Sequence, residues 1–598
     1  MTNDHNGNAA IDYAAISYSD GEEVESYLLS VLSQAKDLST KSQELKEAIR
    51  DWPTEYHLSQ VRHNLFLPID FQNVQSILEI GAGCGAITRF FGEMGSRVLA
   101  VEGAAPRAEV CKARCSDLSN VTVTASSLEN LKLDNTFDLV TLVGVLEYFS
   151  AFSKSADPVQ ENLTKIFNAL SDNGTLLIAI ENKLGLKYLA GFPEDHLNEP
   201  YVGVEDRYPA HGPRTYGRKE LETLLTNVGF QEVEMLYPFP DYKLPSVIVT
   251  NAGANESNFA PADLLSRLES RSDGDNFTLP PSFDDNAAWK AVSRNGLLPD
   301  LSNSFLILAH KGVGSAKPKA DLLAISVPHH ARGRFATSTS FIKKADQVVV
   351  VKNVEELTQD EANSSFALQG GESPYLSGSL YFDELKDILR SGKGVAEIVT
   401  WAEPWVKFLK DAEVDSTLPK DFVDCLPYNL IRKTDGSIAY FDREWQSKDP
   451  IPFAWIFVRG LAFSLAQCSL KGALNGRRYG EVVRDIAARL NLSVGDVEIK
   501  KALEMEKKLN QYIFGKDASE ARADNLYLAK LLKELITDTL VLVSSRVSRL
   551  EHEVERLQRS LSEAEDVAEK TEADIRLITK SKSWKVTAPL RGLKGLLR

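Results

Sequence analysis

A glycine-rich turn that follows an apolar segment is the first stretch of the chain that could hold a ligand. Residues 77–88 read ILEIGAGCGAIT. Gly81, Gly83 and Ala86 fit the G-x-G-x-x-G/A pattern of dinucleotide-binding loops, which would indicate hydride transfer. Gly81, Gly83 and Gly85 fit equally well the G-x-G-x-G turn of enzymes that bind S-adenosylmethionine, which would indicate methyl transfer. The glycines alone leave both chemistries open.

Two acidic residues lie where they could contact such a ligand. Glu79 stands two residues before Gly81, so it can sit beneath the turn and accept hydrogen bonds near a sulfonium ligand. Glu102 ends the next predicted strand, in RVLAVEG, at the sheet edge where ligands of open α/β sheets bind. A carboxylate there can accept hydrogen bonds from both ribose hydroxyls. Glu102 alone does not discriminate, since NAD enzymes use an acid at the same place.

The ends of two further strands complete the pattern. A third predicted strand runs into TASSLEN, which places Ser126, Ser127 and Leu128 at the expected adenine edge. The buried strand in TFDLVTLVGVLEYF ends near Val143 and Gly144, where it would border the methyl donor. The order of loop, acid, polar turn and F-D-x-V strand favours S-adenosylmethionine over a nicotinamide cofactor.

Residues 56–310 resemble class I S-adenosylmethionine-dependent methyltransferases, and within them a bacterial subgroup linked to surface-polysaccharide (O-antigen type) synthesis. The segments that carry the resemblance are YHLSQVRHNL, LEIGAGCGAITRFFGEMG, VEGAAPRAEVCKARCSDLSNV, VGVLEYF, AIENKLGLKYLAGFPEDH and YPFPDYKLP. The resemblance implies methyl transfer to a hydroxyl or phosphate of a bacterial surface polysaccharide or its lipid-linked precursor. A scaffold for glycan-synthesis enzymes, without catalysis, is the alternative from another class of protein.

A hydroxyl acceptor must lose a proton, and the first candidate bases lie in the polar stretch GFPEDHLNEPYVGVEDRY. His196 comes first because the pKa of histidine lies near neutral pH, and Asp195 could orient it or replace it. Glu147 and His57 are further candidates, although each fits a capping or packing role as well. Two arginines would suit an anionic acceptor but are also explained as solvated charges: Arg207 and Arg214.

The elements that must position these residues alternate along the chain. QSILEI, RVLAVEG, VTVTAS, FDLVTLVGV and TLLIAIE read as strands, with helical patterns between them. This alternation predicts an α/β fold with a doubly wound, Rossmann-like sheet, in a methyltransferase domain of residues 51–311. Residues 246–250 and 304–310 are predicted to form the final strand pair around a polar insertion at 251–303. Residues 312–320 resemble a linker.

Residues 321–530 are predicted to form a mixed α+β domain with kinase-like features. Asp424 and Asn429 have the D-x-x-x-x-N spacing of kinase catalytic loops. Asp442 follows a short hairpin, as the second metal-binding aspartate of kinases does, and Lys352 in QVVVVKNV resembles their phosphate-pairing lysine. This pattern predicts a site for ATP and Mg²⁺, with Asn429 and Asp442 as the metal ligands.

The motif DREW resembles that of aminoglycoside and choline kinases, and the layout of the chain resembles bifunctional kinase–methyltransferases that cap O-antigen chains. Two features depart from the kinase pattern. Phe422 stands two residues before Asp424, where kinases have histidine, and ARGRFATS contains fewer glycines than a phosphate-covering loop. An inactive kinase-like domain and an ordinary α+β domain therefore remain as alternatives to an active kinase.

The pattern changes again near the end of the chain. From Ile536 to Ile578 apolar and small residues are spaced four, three, four, three with charges between them, which predicts a coiled coil and a homo-oligomer. Residues 580–598 interleave six lysines and arginines with Trp584 and several leucines. This composition predicts a basic amphipathic tail that binds an anionic membrane surface.

Composition limits the remaining possibilities. A chain of 598 residues exceeds what one core organises, so several domains are expected, preceded by a disordered or helical extension at 1–50. The net charge of −16 opposes binding to nucleic acid. The polar N-terminus resembles no secretory signal, and the five cysteines show no metal-like spacing. We therefore expect a cytoplasmic protein, peripheral on the inner face of the cytoplasmic membrane.

Overall fold

The computed structural model describes residues 20–133, 135–151, 155–268, 282–327, 337–354, 365–468, 472–514 and 527–537. The predicted coiled coil, apart from its first two residues, and the predicted tail lie outside these ranges, as do residues 1–19. Within these ranges, no helix combines the length and the apolar character that crossing a membrane requires.

The described part of the chain contains twenty-one strands, and twelve of them form one large mixed sheet. The strands are β1 (Ile69–Asp70), β2 (Ser76–Ile80), β3 (Arg97–Glu102), β4 (Val121–Ala125), β5 (Phe137–Val143), β6 (Leu170–Glu181), β7 (Glu232–Phe239), β8 (Val247–Thr250), β9 (Ser304–His310), β10 (Lys317–Pro318), β11 (Leu322–Ser326), β12 (Ser338–Lys344), β13 (Gln347–Asn353), β14 (Phe366–Leu368), β15 (Gly371–Pro374), β16 (Ser379–Leu380), β17 (Thr417–Leu418), β18 (Leu430–Arg432), β19 (Ile438–Tyr440), β20 (Trp445–Ser447) and β21 (Ile451–Pro452). The order within the large sheet is β15-β13-β12-β11-β8-β7-β9-β6-β5-β2-β3-β4.

Helices flank the sheet and form most of the second half of the chain, by which we mean the described residues from 321 onward. They are α1 (Glu22–Gln34), α2 (Gln43–Glu47), α3 (Trp52–Leu58), α4 (Ala86–Glu93), α5 (Ala105–Arg114), α6 (Pro158–Ala169), α7 (Leu186–Leu189), α8 (Arg218–Val228), α9 (Asn251–Asn255), α10 (Pro261–Leu265), α11 (Asp285–Arg294), α12 (Leu298–Leu301), α13 (Tyr381–Arg390), α14 (Val395–Ala412), α15 (Phe453–Ala466), α16 (Tyr479–Arg489), α17 (Asp496–Phe514) and α18 (Tyr527–Leu531). Short 3₁₀ turns cover Arg62–Phe66, Leu146–Tyr148, Pro427–Asn429 and Gly472–Leu474.

The parallel part of the sheet confirms the predicted Rossmann-like fold. β4, β3, β2, β5 and β6 pair in parallel in that order. Every residue of β2 is buried, since its apolar side chains pack into cores on both faces of the sheet. Strands covered on both faces need such continuous apolar sequences, and these runs allow the strands to be predicted from the sequence.

The predicted final strand pair is wrong. β8 and β9 do not pair, because β7 lies between them and forms antiparallel ladders with both. The sequence of β7, EVEMLYPF, does not predict a strand, because Glu232 and Glu234 lie at its start and Pro238 lies within it. Within the predicted insertion, the described residues form α9 to α12, and the buried Trp289 of α11 packs into the main core.

The large sheet continues past the domain boundary predicted at residue 311. β11 pairs antiparallel with β8, and β12, β13 and β15 extend the sheet further. Within the predicted linker, β10 pairs with β1. Residues 312–320 are therefore a connection held against the first half of the chain.

The described part of the N-terminal extension is docked on the first half. Leu28 and Leu32 of α1 are buried in a small core with Cys84 of the glycine turn and Val110 of α5. This packing brings Asp20, just before α1, to the ligand-binding edge of the sheet.

Helices α13 to α18 share a separate core in the second half, in which Trp405 and Trp455 are fully buried. Phe422, at the position where kinases have histidine, stacks on Phe408 and contacts Tyr440 edge to face. The described residues are mixed α and β, and the kinase-like character of this half stays a prediction.

Phe341 tests the packing of the sheet where it extends beyond residue 311. It lies on β12 and packs against Phe259 and Tyr375, with ring centroids 5.2 and 6.1 Å apart respectively. We expect Phe341→Ala to lower the free energy of unfolding by about 3–5 kcal/mol. The same change at Phe283, which is 38% exposed, should shift it by no more than about 0.5 kcal/mol. Denaturant unfolding measures both, and equal effects would contradict the packing described.

Candidate active site

A cavity of about 650 Å³ opens at the carboxyl ends of the parallel strands. Its walls come from the glycine turn, the ends of β3, β5 and β6, helix α3, and the segments around residues 192–198 and 242–243. The cavity has a donor half, next to the glycine turn, and an acceptor half, built around His196.

The glycine turn requires glycine at its three alternate positions. Gly81, Gly83 and Gly85 have φ angles of 75°, 56° and 85°, in the left-handed region. A Cβ on Gly81 would lie 2.4 Å from Val145, and one on Gly85 would lie 3.0 Å from the Cys111 backbone. Gly81 and Gly83 line the cavity, whereas Gly85 serves the close packing of α4 on α5.

Glu102 fixes the glycine turn relative to the next helix. One carboxylate oxygen accepts a hydrogen bond from Gly83 N at 2.7 Å, and the other accepts one from Ala104 N at 2.8 Å. The side chain lies at the carboxyl end of β3 and lines the cavity, as the sequence predicts.

The remaining predicted donor residues line the same cavity. Glu79 is buried beneath the glycine turn, and Oε2 accepts no hydrogen bond from the described residues. Burial, reinforced by the nearby charge of Glu102, raises the pKa of Glu79 to about 8. The other lining residues that the sequence predicts are Ser126, Ser127, Leu128, Val143 and Gly144.

Four titratable side chains meet in the acceptor half, with His196 at the centre and three carboxylates around it. His196 Nε2 lies 3.5 Å from Glu147 Oε1 and 3.9 Å from Glu181 Oε2. On the other side of the ring, Nδ1 lies 3.0 Å from Glu194 Oε1. Burial alone would lower the pKa of His196, but the carboxylates of Glu181, Glu147 and Glu194 raise it well above the ordinary histidine value. This favours a charged ring, which suits a proton donor better than the general base that the sequence predicts.

Asp195 belongs to a neighbouring ion-pair cluster. It pairs with Lys187 at 2.9 Å and Lys243 at 2.6 Å, and it accepts a hydrogen bond from the Tyr188 hydroxyl. Burial opposes ionisation, but the two lysines hold the pKa of Asp195 well below its ordinary value. Asp195 therefore pairs with the two lysines, and the carboxylate that contacts Nδ1 of His196 is that of Glu194.

The other predicted candidates fall at the rim or outside the cavity. His57 lines the donor side, where Nε2 lies 2.9 Å from Asp20 Oδ2, and burial lowers its pKa. Arg207 and Arg214 do not line the cavity and pair with carboxylates near the surface. An anion-binding role in this cavity is therefore not available to them.

Several lining residues escaped the sequence analysis. Glu181 ends β6 as Glu102 ends β3, so the same rule for strand ends would have found it. Tyr242 and Lys243 lie in the YPFPDYKLP segment, but their distance along the chain gave no sign of their position. Asp20 reaches the cavity only because α1 is docked.

In the second half, the structure brings the predicted kinase-like residues together in two groups. Lys352 on β13 pairs with Asp442 and, at 2.6 Å, with Glu444. Asn429 Nδ2 donates a hydrogen bond of 2.8 Å to Asp424 Oδ2. Asp424 Oδ1 also accepts a 2.8 Å bond from Arg459, which the sequence analysis did not identify.

Comparison with known protein families identifies a domain in the first half of the chain. Residues 78–176 match the family model described as a methyltransferase domain. No curated protein matches the chain. The chain therefore contains a methyltransferase domain, and the strand order of its sheet is consistent with this assignment.

Solved structures of methyltransferases are also similar to part of the chain. A SAM-dependent methyltransferase from Archaeoglobus fulgidus shows 16% identity and a TM-score of 0.26, covering 43% of this chain and 94% of its own. Phospholethanolamine N-methyltransferase 2 of Haemonchus contortus, in complex with phosphomonomethylethanolamine and S-adenosylhomocysteine, shows 15% identity and a TM-score of 0.24, covering 40% and 49%. The N-methyltransferase NodS of Bradyrhizobium japonicum WM9 shows 18% identity and a TM-score of 0.21, covering 27% and 75%. With TM-scores this low, the assignment rests on the family match.

Glu79 makes stability depend on pH. Its pKa of about 8 in the folded state lies above the ordinary value of 4.5, so the folded protein keeps a proton that the unfolded chain loses between these values. This carboxyl therefore lowers stability as pH rises, by about 1.4 kcal/mol per unit. We expect Glu79→Gln to match the wild type near pH 4.5 and to exceed its free energy of unfolding by roughly 3–5 kcal/mol at pH 8.

Denaturant unfolding at pH 5, 6.5 and 8 measures this difference. Glu109→Gln, at an exposed position on α5, is the matched control and should show no such pH dependence. A difference between wild type and Glu79→Gln that stays constant with pH would contradict the shifted pKa.

Proposed function

We propose that the methyltransferase domain uses S-adenosylmethionine as its methyl donor. The observation that carries this proposal is the match of residues 78–176 to a methyltransferase domain. Within that domain, Glu102 lies between the glycine turn and the cavity at the end of β3. Its carboxylate would accept hydrogen bonds from the ribose hydroxyls of the donor. Ser126, Ser127 and Leu128 line the cavity where the adenine would lie.

The donor half fits this ligand chemically. Gly81 lines the cavity, and the absence of a side chain there lets the turn pack closely against Val145, which also lines it. One oxygen of the buried Glu79 carboxyl accepts no hydrogen bond from the part of the chain that the structure describes, and a cationic ligand would favour the ionised form of this carboxyl. When bound, S-adenosylmethionine supplies a methyl group activated by a sulfonium sulfur.

The chain's own residues would align the two substrates and exclude water. Gly144 lies where the donor half of the cavity meets the acceptor half. A Cβ on Gly144 would be 2.8 Å from the Tyr242 hydroxyl and 3.6 Å from Glu147 Oε1. An acceptor beside Glu147 would therefore sit next to the donor half. Tyr242 and His196, both largely buried, wall off this junction.

We also propose that the acceptor is a hydroxyl or phosphate of a bacterial surface polysaccharide or its lipid-linked precursor. The support is the sequence resemblance of residues 56–310. The acceptor half offers both carboxylates and the ammonium groups of Lys187 and Lys243 to such a group. Incubation with isotope-labelled donor and a panel of polysaccharides, followed by mass spectrometry, tests the choice of acceptor.

Donor binding depends on Glu102. Hydrogen bonds to a charged group contribute about 1.5–3 kcal/mol each, so loss of two of them in Glu102→Ala should weaken donor binding at least about 100-fold. Isothermal titration with S-adenosylmethionine measures the affinity, and Glu109→Ala on the exposed face of α5 is the control that should bind as the wild type does. Equal binding by Glu102→Ala would contradict the proposed donor site, and binding of NADH in its place would favour hydride chemistry.

A second candidate function, ATP-dependent phosphoryl transfer, is favoured by the ion pair between Lys352 and Asp442. These residues are far apart in sequence, yet Lys352 pairs with both Asp442 and Glu444. Lys352 would contact ATP phosphates, and Asn429 and Asp442 would hold Mg²⁺. Asp424 would orient the acceptor hydroxyl.

Asp442→Ala tests this second function. The variant should reduce phosphoryl transfer from ATP to a saccharide acceptor to background, because the metal-binding carboxylate is lost. Asp435→Ala, on the exposed turn of the β18–β19 hairpin, should keep wild-type activity. Transfer that persists in Asp442→Ala would place the activity elsewhere, and no transfer by the wild type would favour an inactive domain.

A further inference from the structure

Glu147, Glu181 and His196 are brought together from three separate parts of the chain. Glu147 lies in the 3₁₀ turn after β5, Glu181 is the last residue of β6, and His196 follows the 192–195 segment. One ligand atom from each lies within 4.8 Å of the others, and all three residues line the cavity.

The buried carboxylate of Glu147 lacks hydrogen-bond donors among the described residues. The residue is 1% exposed, and neither carboxylate oxygen accepts a hydrogen bond from the described residues. Burying a carboxylate without hydrogen-bond donors is costly, so such groups are normally paired with a cation or a metal. The nearest basic group is His196 Nε2, at 3.5 Å.

His196 is held in the orientation that a metal ligand needs. Glu194 lies 3.0 Å from Nδ1, and its other oxygen accepts 2.8 Å bonds from the backbone N–H groups of His196 and Leu197. The ring is therefore fixed with Nε2 toward Glu147 and Glu181. A carboxylate on the outer nitrogen of a ligating histidine is the usual support of such a ligand.

The neighbouring lysines leave one face of the cluster open. Lys243 lies 2.8 Å from Glu181 Oε1, whereas the oxygen that faces His196 is Oε2. Lys243 and Lys187 also pair with Asp195. These contacts direct the lysine charges to Asp195 and to the outer side of Glu181, and no lysine pairs with Glu147 among the described residues.

We propose that Glu147 and Glu181 oxygens and His196 Nε2 bind one divalent transition-metal ion in the acceptor half. Metal–ligand distances of 2.0–2.2 Å place the ligand atoms of a tetrahedral site about 3.4 Å apart. The observed separations of 3.5 and 3.9 Å require only small side-chain shifts. One nitrogen and two carboxylate ligands suit Zn²⁺ or Mn²⁺ better than Ca²⁺. In this arrangement the metal takes the place of a proton on Nε2.

The position of the ion would also determine what it does in the proposed reaction. Three protein ligands leave coordination positions free for an oxygen of the acceptor, and Glu147 lies beside Gly144 at the junction with the donor half. The ion would therefore hold an acceptor oxygen next to the donor. This last step rests on the proposed methyltransferase function, whereas metal binding itself does not.

The full-length protein, stripped of metal by chelator dialysis, provides the test. The protein carries Asp442→Ala throughout, which removes the second proposed metal site, and no nucleotide is present. Mn²⁺ titration followed by electron paramagnetic resonance, and Zn²⁺ content after gel filtration, should then give one bound ion per chain. Glu147→Gln and His196→Gln should each weaken binding at least tenfold, as should Glu194→Gln through loss of support for the ring. His211→Gln, at an exposed histidine outside the cavity, should leave binding unchanged.

Circular dichroism and thermal unfolding verify that each variant is folded. No stoichiometric binding by the Asp442→Ala protein, or unchanged affinity in both Glu147→Gln and His196→Gln, would overturn the inference and leave the cluster a buried ion pair. Titration with S-adenosylmethionine on the same samples separates the two proposals. Donor binding without metal binding rejects only the metal site, and metal binding without donor binding rejects only the donor assignment.

Discussion

The carboxylate of Glu102 is the constraint on which the donor half depends. By accepting hydrogen bonds from Gly83 N and Ala104 N, it ties the turn after β2 to the start of α5. The position of α5 in turn sets the close contact between Gly85 and Cys111 and provides the surface on which α1 docks. A ligand that donates hydrogen bonds to this carboxylate does so beside the two backbone N–H groups. The conformation of the turn and the affinity for the ligand are therefore coupled.

The donor half was predictable because each of its parts is local in sequence. A turn, the acid two residues before it and the acid at the end of the next strand keep fixed positions once strands and helices alternate. The parallel strands were readable for the same reason, since burial on both faces demands apolar runs. β7 was missed because its alternating glutamates and its proline resemble a loop, and without it β8 and β9 were paired incorrectly.

The acceptor half was less predictable because it is assembled across long stretches of sequence. Glu181 comes close to His196, and Lys243 to Glu181, only through the fold, because these residues lie far apart in the sequence. Glu194 is two residues from His196, but its position alone did not show that it would contact the ring. The prediction of His196 as a general base took no account of Glu181, Glu147 and Glu194, whose carboxylates raise its pKa in the fold. The boundary at residue 311 was misplaced because glycine and proline at 312–320 suggest a linker, whereas pairing of β10 with β1 and of β11 with β8 is a tertiary property.

The unbroken ladder from β4 to β15 has a consequence for any substrate that uses both halves. Eight strand spacings separate β2, which carries the glycine turn, from β13, which carries Lys352. At about 4.8 Å per strand, this is on the order of 40 Å along the sheet. Because hydrogen-bonded ladders join every strand between them, the sheet holds the glycine turn and Lys352 apart by this span. The reacting end of a shared substrate would have to travel that span itself, which a long flexible polymer can do and a small metabolite can do only by leaving the protein.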